Sequence, residues 1–316
     1  MIDITKNYEL KDTRSGFGVA LDELGANNPN VMALCADLTG SLKMNNFAKN
    51  YPQRFIQIVI AESNMIGIAS GLALSGKIPF AGTFAVFAAG RTYDQIRLTA
   101  AYSNHNVKIA ASHSGVSVGE DGASHQMIED IALMRSLPNM VVINTCDFNQ
   151  TKAATIASAN YFGPVYLRFG RPAVPNFTPA DQKFDIGKAV KLNDGKDITI
   201  IATGHMVWQA VLASDELQKQ GISVDLINLH TIKPIDQQAI IESAKKTKAI
   251  ITVEEHSIFG GLGDAVANVV VHNYPVKMKM IGINDHFGES GTTEQLFDKY
   301  GLTSQNIVKQ AKKLLS

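Results

Sequence analysis

Short apolar runs alternate along this chain with longer amphipathic stretches. The short runs are continuous, as in Val31-Met-Ala-Leu-Cys35, which is typical of strands buried on both faces of a sheet. Strands that alternate with helices in this way predict βαβ units, because parallel neighbours need a crossover connection. We therefore predict an α/β fold whose sheets are mostly parallel and flanked by helices.

Two series of these elements follow one another. The first has predicted strands at 31–35, 55–60, 107–112, 140–145 and 165–168 and helices at 13–25, 63–75, 88–103, 125–136 and 148–160. The second has strands at 198–203, 223–229, 249–254 and 277–283 and helices at 206–220, 236–246, 262–272 and 303–315. Three prolines between Pro172 and Pro179 forbid a helix between the two series. We predict two domains, 1–172 and 188–316, joined by a linker at 173–187.

The composition excludes several classes of protein. Apolar residues make up 45% and charged residues 18% of the 316, which indicates extensive burial and argues against disorder. The 29 basic and 29 acidic side chains cancel, so we expect neither a nucleic acid nor a membrane as a partner. No apolar stretch is long enough to cross a membrane. Two cysteines, Cys35 and Cys146, are too few for a disulfide framework, and we expect a cytoplasmic protein with buried thiols.

The most unusual segment runs from Ala111 to Gln126 and begins where a predicted strand ends. Ligands of open α/β sheets bind outside the carboxyl ends of the strands. The segment offers His113, His125 and three glycines, which let the backbone approach a ligand closely. The alternative is a glycine-rich turn in which Asp121 or Ser124 caps a helix that starts near His125. We predict no metal site, because no further ligands complete a shell around the two histidines.

Three further segments carry candidate chemistry. Glu62 follows one predicted strand and opens an Ala/Gly-rich helix, where its carboxylate is either functional or a helix cap. Phe84 and Phe87 follow another strand, and such a pair belongs either to the core or to a cofactor site. The run Glu254-Glu-His256 ends a third strand, and we interpret it as a solvated or interface-facing turn rather than a catalytic cluster.

Taken in order, six segments of the chain resemble the C-terminal half of transketolase, over essentially its whole length. The motif Gly119-Glu-Asp-Gly-Ala-Ser-His-Gln126 is the specific one. The others are Ala36-Asp-Leu-Thr-Gly-Ser41, Ala61-Glu-Ser-Asn-Met65, Gly82-Thr-Phe84, Leu167-Arg-Phe-Gly-Arg171 and Glu254-Glu-His-Ser-Ile-Phe-Gly-Gly-Leu-Gly263. The resemblance implies a pyrimidine-binding domain at 1–172 and a transketolase C-terminal domain at 188–316.

The resemblance implies thiamine diphosphate as the cofactor. Glu62 matches the family glutamate that hydrogen-bonds N1′ of the aminopyrimidine, a contact that favours the tautomer able to remove the thiazolium proton. Phe84 and Phe87 match aromatic residues that line the pyrimidine. Asp37 lies in a matching segment and is implied in cofactor binding.

The same matching implies where the substrate binds. Asp121 and His125 match residues that hold the donor ketose, and His113 matches a substrate-facing histidine, so both histidines are candidates for catalysis. The residues implied in binding the sugar phosphate are Arg14, Ser41 and Arg171, with Arg168 as the alternative to Arg171. The planar guanidinium group of an arginine can hydrogen-bond two phosphate oxygens at once.

The chain departs from the family in two respects. Gly90 stands near the place of a further tyrosine, with Tyr93 as a candidate replacement, and 91–95 is similar to 1-deoxyxylulose-5-phosphate synthase. The larger departure is that the chain contains no Gly-Asp-Gly motif, through which these enzymes anchor the diphosphate by Mg²⁺. The expectation is that a separate N-terminal subunit carries this motif and the Mg²⁺ ligands.

The resemblance therefore implies the C-terminal subunit of a two-component transketolase, which moves a two-carbon ketol unit from a ketose phosphate to an aldose phosphate in the pentose phosphate pathway. It would be active only with its partner, in a two-plus-two heterotetramer. The alternatives are the β subunit of a 2-oxoacid dehydrogenase, an enzyme like 1-deoxyxylulose-5-phosphate synthase, and a catalytically silent regulatory subunit. The 119–126 motif argues against the dehydrogenase. The silent subunit is disfavoured by the joint presence of Glu62, Asp121, His125 and Arg171.

Overall fold

Each half of the chain builds its own mostly parallel sheet, and a two-stranded ribbon lies beside them. The computed structural model describes residues 2–247 and 249–316. The strands are β1 Leu10–Asp12, β2 Val31–Cys35, β3 Phe55–Gln57, β4 Ile78–Phe84, β5 Lys108–Ser112, β6 Val141–Asn144, β7 Val165–Arg168, β8 Ala173–Pro175, β9 Val190–Asn193, β10 Ile198–Ala202, β11 Val224–Asn228, β12 Thr231–Lys233, β13 Ala249–Ser257 and β14 Lys277–Ile283. The α-helices are α1 Thr13–Asn27, α2 Asn45–Asn50, α3 Glu62–Leu74, α4 Tyr93–Gln95, α5 Asp130–Ser136, α6 Phe148–Asn160, α7 Met206–Lys219, α8 Gln237–Thr247, α9 Leu262–Asn273, α10 Thr293–Tyr300 and α11 Ser304–Leu315.

The first sheet has seven strands in the order β12-β6-β7-β5-β4-β2-β3. Six of them are parallel and come from the first half of the chain. The edge strand β12 comes from the second half and pairs antiparallel with β6. Apolar side chains of α1, α2 and α6 pack on one face, and those of α3 and α5 pack on the other. Since both faces are covered, every residue of β2, β5, β6 and β7 is buried.

The second sheet has five strands in the order β14-β13-β10-β11-β9, parallel except at β9. Helices α7 and α11 cover one face, and α8 and α9 cover the other. The predicted α/β fold with two mostly parallel, helix-flanked sheets is confirmed. None of the helices within the described ranges is both long and apolar enough to span a membrane.

The proline-containing linker is tied to the first domain. Strand β8 lies within it and pairs antiparallel with β1. Beyond β8, the Asp147 carboxylate accepts hydrogen bonds from the backbone N–H groups of Phe177 at 2.9 Å and Thr178 at 2.7 Å. The same carboxylate caps α6 through the Gln150 N–H. One buried side chain therefore holds both the start of α6 and the linker.

The helix predicted from residue 125 begins later. Its first residue is Asp130, and neither Asp121 nor Ser124 caps it, so the capping interpretation is wrong. The backbone N–H of Gly115 donates to the Met127 carbonyl at 2.8 Å, in a short parallel bridge. Because this bridge keeps the chain before α5 extended, the helix cannot start until the bridge ends.

Other elements also differ from the sequence prediction. Strand β3 ends at Gln57 instead of residue 60, because Val59 adopts a positive φ of 56° that no strand accommodates. The central strand β4 was absent from the predicted series, since Pro79 and Gly82 weaken its strand signal, and Phe84 ends this strand rather than following it. The predicted helix at 88–103 is a run of π and α turns from 86 to 102.

Helix α1 approaches α6 closely at Gly16. A Cβ atom on Gly16 would lie 2.3 Å from the Phe148 carbonyl oxygen, which is backbone and cannot move aside. The Asp12 carboxylate caps α1 by accepting from the Ser15 N–H at 2.9 Å. The cap and the close approach together place Arg14, in the first turn of α1, at the carboxyl edge of the first sheet.

Gly16→Ala should lower the free energy of unfolding of the chain by about 1 to 3 kcal/mol, the usual range for an overpacked core position. Urea unfolding followed by circular dichroism measures this change. Val19→Ala is the matched control, because Val19 lies on the exposed side of the same helix and its loss should change the free energy by less than about 0.5 kcal/mol. Equal effects of the two substitutions would contradict the close packing of α1 on α6.

Candidate functional site

Four strand ends meet at one edge of the first sheet, because β2, β4, β5 and β7 are parallel neighbours. The chain leaves β2 toward β3 and leaves β4 toward β5, in opposite directions along the sheet. Such a switch point is where open α/β sheets bind ligands. Predicted site residues stand here: Asp37 follows β2, Phe84 ends β4, His113 follows β5 and Arg171 follows β7.

Glu62 is the first residue of α3, and its side chain is 2% exposed. Nη1 of Arg91 lies 3.1 Å and 3.0 Å from the two carboxylate oxygens. The Arg91 guanidinium also lies over the Phe87 ring, 4.4 Å from its centroid. Helix α3 has no side-chain cap, so the alternative in which Glu62 is a helix cap is wrong. The carboxylate is instead a buried charge held by one half-exposed arginine.

Phe84 and Phe87 form a stacked pair, and the rings of both candidate histidines contact this pair. Their centroids are 6.0 Å apart and their planes differ by 12°. The His113 ring stacks on Phe84 at 3.7 Å. The His125 ring meets Phe87 edge-on at 5.5 Å and Phe84 at 6.4 Å. The glycine-rich segment therefore delivers its two histidines to the aromatic pair of β4 and the helix that follows it.

Two arginines lie beside these rings. Nη1 of Arg14 donates to the Ser41 carbonyl at 3.1 Å, and its Nε lies 3.4 Å from a carboxylate oxygen of Asp12. Nη1 of Arg171 donates to the Val118 carbonyl and lies 3.1 Å from a Glu120 carboxylate oxygen. Burial lowers the pKa of the Arg14 guanidinium, and the nearby charge of Arg171 lowers it further. Two guanidinium groups within electrostatic reach of each other favour an anionic ligand.

His113 is held in its neutral form. Burial lowers the pKa of its imidazole to about 3, and the positive charges of Arg14 and Arg171 act in the same direction. Its Nδ1 lies 2.8 Å from the Ser112 hydroxyl. A neutral imidazole offers one donor and one acceptor, so His113 can hydrogen-bond a ligand hydroxyl but adds no charge to the site.

Three predicted site residues stand at the rim of this cluster. Asp37 is exposed, with a positive φ of 55°, and its backbone N–H donates to the Gln57 side chain at 2.8 Å. Ser41 contacts Arg14 through its carbonyl rather than its hydroxyl. Asp121 is exposed at the end of a 3-10 helix, Val116–Asp121. These side chains face open space beside the buried cluster.

Arg168, the alternative phosphate ligand, is withdrawn from this edge. Its Nε lies 2.8 Å from the Asp130 carboxylate, and both side chains are at most 2% exposed. The interpretation of Glu254-Glu-His256 as a solvated or interface-facing turn is wrong as to the turn and the solvation, because all three residues belong to strand β13 and are buried. Glu255 does face the first domain, where its carboxylate accepts from the Ser117 backbone N–H. Burial raises the pKa of the Glu254 and Glu255 carboxyls to about 7 and lowers that of His256 to about 4.

The sequence analysis missed the role of Arg91. Its spacing of four residues from Phe87 in a helical segment was the available signal, because side chains at i and i+4 share a helix face. Tyr93, the candidate for the missing aromatic, packs against the core, and its hydroxyl lies 3.0 Å from that of Ser136. The place beside Phe87 is therefore taken by an arginine instead of a tyrosine.

The side chains at this edge fit one end of the implied cofactor. A buried carboxylate near stacked aromatic rings suits a flat ring that carries a hydrogen-bonding nitrogen. A diphosphate needs a divalent cation with oxygen ligands. Within 2–247 and 249–316, no group of three or more His, Cys, Asp or Glu side chains could hold a metal ion. The described residues thus fit the pyrimidine and do not fit the metal-bound diphosphate.

Known proteins share both the domains and the fold of the chain. The transketolase pyrimidine binding domain family matches residues 10–176, and the transketolase C-terminal domain family matches residues 187–307. A solved structure described as a split gene transketolase, inactive beta4 tetramer, has a TM-score of 0.91 to this chain at 47% sequence identity. The match covers 96% of this chain and 98% of that one.

Two further relatives match at similar identity. The 6-deoxy-6-sulfo-D-fructose transketolase subunit SqwH of Clostridium sp. strain MSTE9 is 41% identical, over 98% of this chain and 91% of that protein. An apulose-4-phosphate transketolase subunit of Phocaeicola vulgatus is 40% identical, over 94% and 96% respectively. The resemblance drawn from six sequence segments is confirmed, and the chain belongs to the transketolase family, as an enzyme subunit that contains the pyrimidine-binding and C-terminal domains.

Proposed function

We propose that this chain is the C-terminal subunit of a two-component transketolase. It transfers a two-carbon ketol unit from a ketose phosphate to an aldose phosphate, with thiamine diphosphate shared with an N-terminal subunit. That partner carries the Gly-Asp-Gly motif and the Mg²⁺ ligands, and the two chains form a two-plus-two heterotetramer. The main support is the buried Glu62 beside the Phe84–Phe87 pair at the switch point, in a chain whose described residues hold no metal-ligand cluster.

Thiamine diphosphate, when bound, supplies the carbon nucleophile of ketol transfer. The residues of this chain orient the aminopyrimidine ring and control its protonation. Glu62 holds a proton at N1′, a role for which a carboxylate only 2% exposed is suited because water does not compete for it. Phe84 and Phe87 line the ring, and Asp37 completes the cofactor side of the site.

The arginines and histidines form the substrate end. Arg14 and Arg171 bind the terminal phosphate together with Ser41, while His113, His125 and Asp121 hold the donor sugar. The sugars in the names of both relatives carry an anionic group, a sulfo group in one and a phosphate in the other. A site whose anion-binding residues are arginines accommodates either group, since both present oxygen pairs to the guanidinium fork.

The isolated chain should show no ketol transfer and should bind thiamine diphosphate with Mg²⁺ only weakly, because it lacks the diphosphate anchor. Calorimetry with cofactor and Mg²⁺, together with a coupled transfer assay, measures both properties. Addition of the protein from the same organism that carries Gly-Asp-Gly should restore turnover. Turnover by the isolated chain would contradict the two-component proposal.

Glu62→Gln preserves the shape of the side chain but removes its charge. Activity of the reconstituted enzyme should fall at least about 10²-fold, as for a lost acid–base contributor. Thermal unfolding of the variant is the control for folding, since the neutral amide replaces a buried carboxylate whose two oxygens both lie close to Nη1 of Arg91. A variant that folds normally and keeps near-normal activity would show that this carboxylate has no part in the reaction.

Arg171→Ala deletes a charge-assisted contact to the phosphate, worth about 1.5 to 3 kcal/mol or about ten- to a hundredfold in kcat/KM for a phosphorylated donor. Hydroxypyruvate is the control donor, because it delivers the same two-carbon unit without a phosphate and should be barely affected. Glu120→Gln is the control variant, since it removes the acidic partner of Arg171 and should not lower kcat/KM. His125→Ala should impair both donors.

Two outcomes would contradict the substrate assignment. Equal losses for the two donors in Arg171→Ala would show that this arginine does not bind the phosphate. A preference of the enzyme for pyruvate or branched 2-oxoacids over ketose phosphates would assign the chain to the dehydrogenase alternative. A sulfonated ketose tested beside the phosphorylated one identifies which anion the site prefers.

A further inference from the structure

The glycine-rich loop, which we define as residues 115–126, belongs to the first domain but is held in place by contacts with the second domain. Glycines at 115, 119 and 122 all adopt positive φ angles, between 76° and 85°. Thr293 of α10 donates to the Ser117 carbonyl at 3.2 Å, and a Cβ on Gly122 would lie 2.6 Å from the Ser290 hydroxyl. The loop that carries Asp121 and His125 therefore rests on elements outside its own sheet.

Glu255 makes the most deeply buried of these contacts. Its side chain is 4% exposed, and its Oε1 accepts a hydrogen bond from the Ser117 backbone N–H at 2.5 Å. A Cβ atom on Gly115 would lie 2.3 Å from the same oxygen, so the loop comes this close only because Gly115 has no side chain. The backbone of Glu255 is itself held, since Arg168 donates to its carbonyl at 3.0 Å.

The sequence around this contact matches another kind of site. Residues 115–119 read Gly-Val-Ser-Val-Gly, the spacing of a hydrolase nucleophile elbow. Ser117 is 2% exposed, and among residues 2–247 and 249–316 its hydroxyl has no hydrogen-bond partner. A nucleophile must be accessible to its substrate, so Ser117 does not act as one. Its contribution to the loop is the hydrogen bond that its backbone N–H donates.

Gln126 provides a second tie at the other end of the loop. Its side-chain nitrogen lies 3.2 Å from the Val116 carbonyl, 3.1 Å from the Gly119 carbonyl and 2.9 Å from the Glu289 carbonyl of the second domain. One amide thus links the two turns of the loop to each other and to the second domain. His125 is its immediate neighbour in sequence.

We propose that Glu255 is a positioning residue, which fixes the glycine-rich loop through the Ser117 amide and thereby sets how tightly His125 and Asp121 hold the donor sugar. This inference rests on the proposed function for its kinetic consequence, but its structural part does not. A loop with three positive-φ glycines has few conformational restraints of its own. A buried hydrogen bond to the Glu255 side chain on a rigid strand supplies the missing restraint.

Glu254 offers a matched control for the test. It is the preceding residue of β13, it is equally buried, and its carboxylate also accepts backbone hydrogen bonds. Those bonds come from Leu262 at 2.6 Å and Gly263 at 2.7 Å, at the start of α9 in its own domain. Removal of the Glu254 carboxylate therefore also removes a buried acceptor of backbone hydrogen bonds, but it breaks no hydrogen bond to the glycine-rich loop.

The first measurement is amide hydrogen exchange of the full chain. Glu255→Ala should accelerate exchange of peptides within 115–126, whereas Glu254→Ala should accelerate exchange at the start of α9 and leave the loop unchanged. Glu255→Gln retains an acceptor oxygen and should restore slow exchange in the loop. If Glu255→Ala does not fold, Gly115→Ala displaces the same carboxylate from the loop side and should give the same loop-specific pattern. Wild-type exchange of the loop in Glu255→Ala would overturn the proposal.

The second measurement is ketol-transfer kinetics in the complex with the N-terminal subunit. Glu255→Ala should raise the KM of the donor about ten- to a hundredfold, the range that follows when a buried donor loses its hydrogen-bond partner, with a smaller change in kcat and rescue by Glu255→Gln. A loop that exchanges faster while the donor KM stays unchanged would overturn the positioning role. A wild-type complex without any ketol transfer would instead refute the proposed function and leave the exchange result standing.

Discussion

A guanidinium group that water does not reach holds the two domains together. Arg168, at the end of β7, is 2% exposed and pairs with Asp130 on α5. It also donates to the Glu255 carbonyl on β13 at 3.0 Å. An isolated buried charge costs several kcal/mol, and loss of one partner of such a pair typically costs about 3 to 5 kcal/mol. Asp130 balances this charge within the first domain, and the Glu255 carbonyl adds an acceptor from the second domain, so the hydrogen bonds of Arg168 depend on the packing of β13 against β7.

The rest of the site follows from that arrangement. With β13 fixed against β7, the Glu255 carboxylate reaches the amide of Ser117, and the segment around Glu289 reaches Gln126. The second half of the chain also completes the first sheet with β12. The C-terminal domain is thus part of the framework of the proposed site, although none of the predicted site residues belongs to it.

Opposite charges lie at the two ends of this site. The proposed cofactor end has one buried carboxylate, Glu62, whose charge is balanced by Arg91. The proposed substrate end has Arg14 and Arg171, and burial together with their positive charges keeps His113 neutral. Under the proposed function, the arginine end attracts an anionic sugar and the carboxylate end suits a ring with a hydrogen-bonding nitrogen, so charge directs the two ligands to different ends.

Much of this molecule was determined by features that are local in the sequence. Continuous apolar runs and the prolines after Pro172 indicated two helix-flanked sheets, since a buried strand and a proline break leave their mark on neighbouring residues. The matched motifs indicated Glu62, Phe84, His113 and Arg171, and the parallel strand ends explain why such distant residues meet.

Only the tertiary structure decided what depends on contacts between segments far apart in the chain. Arg91 faces Glu62 because two helices cross, and β12 joins the first sheet because the domains pack together. Glu254, Glu255 and His256 were interpreted as a solvated or interface-facing turn, because polar residues at a strand end are usually exposed. They are buried because other segments pack against them, the start of α9 at Glu254 and the glycine-rich loop at Glu255, and a local pattern of hydrophobic and polar residues does not show which distant segments will pack there.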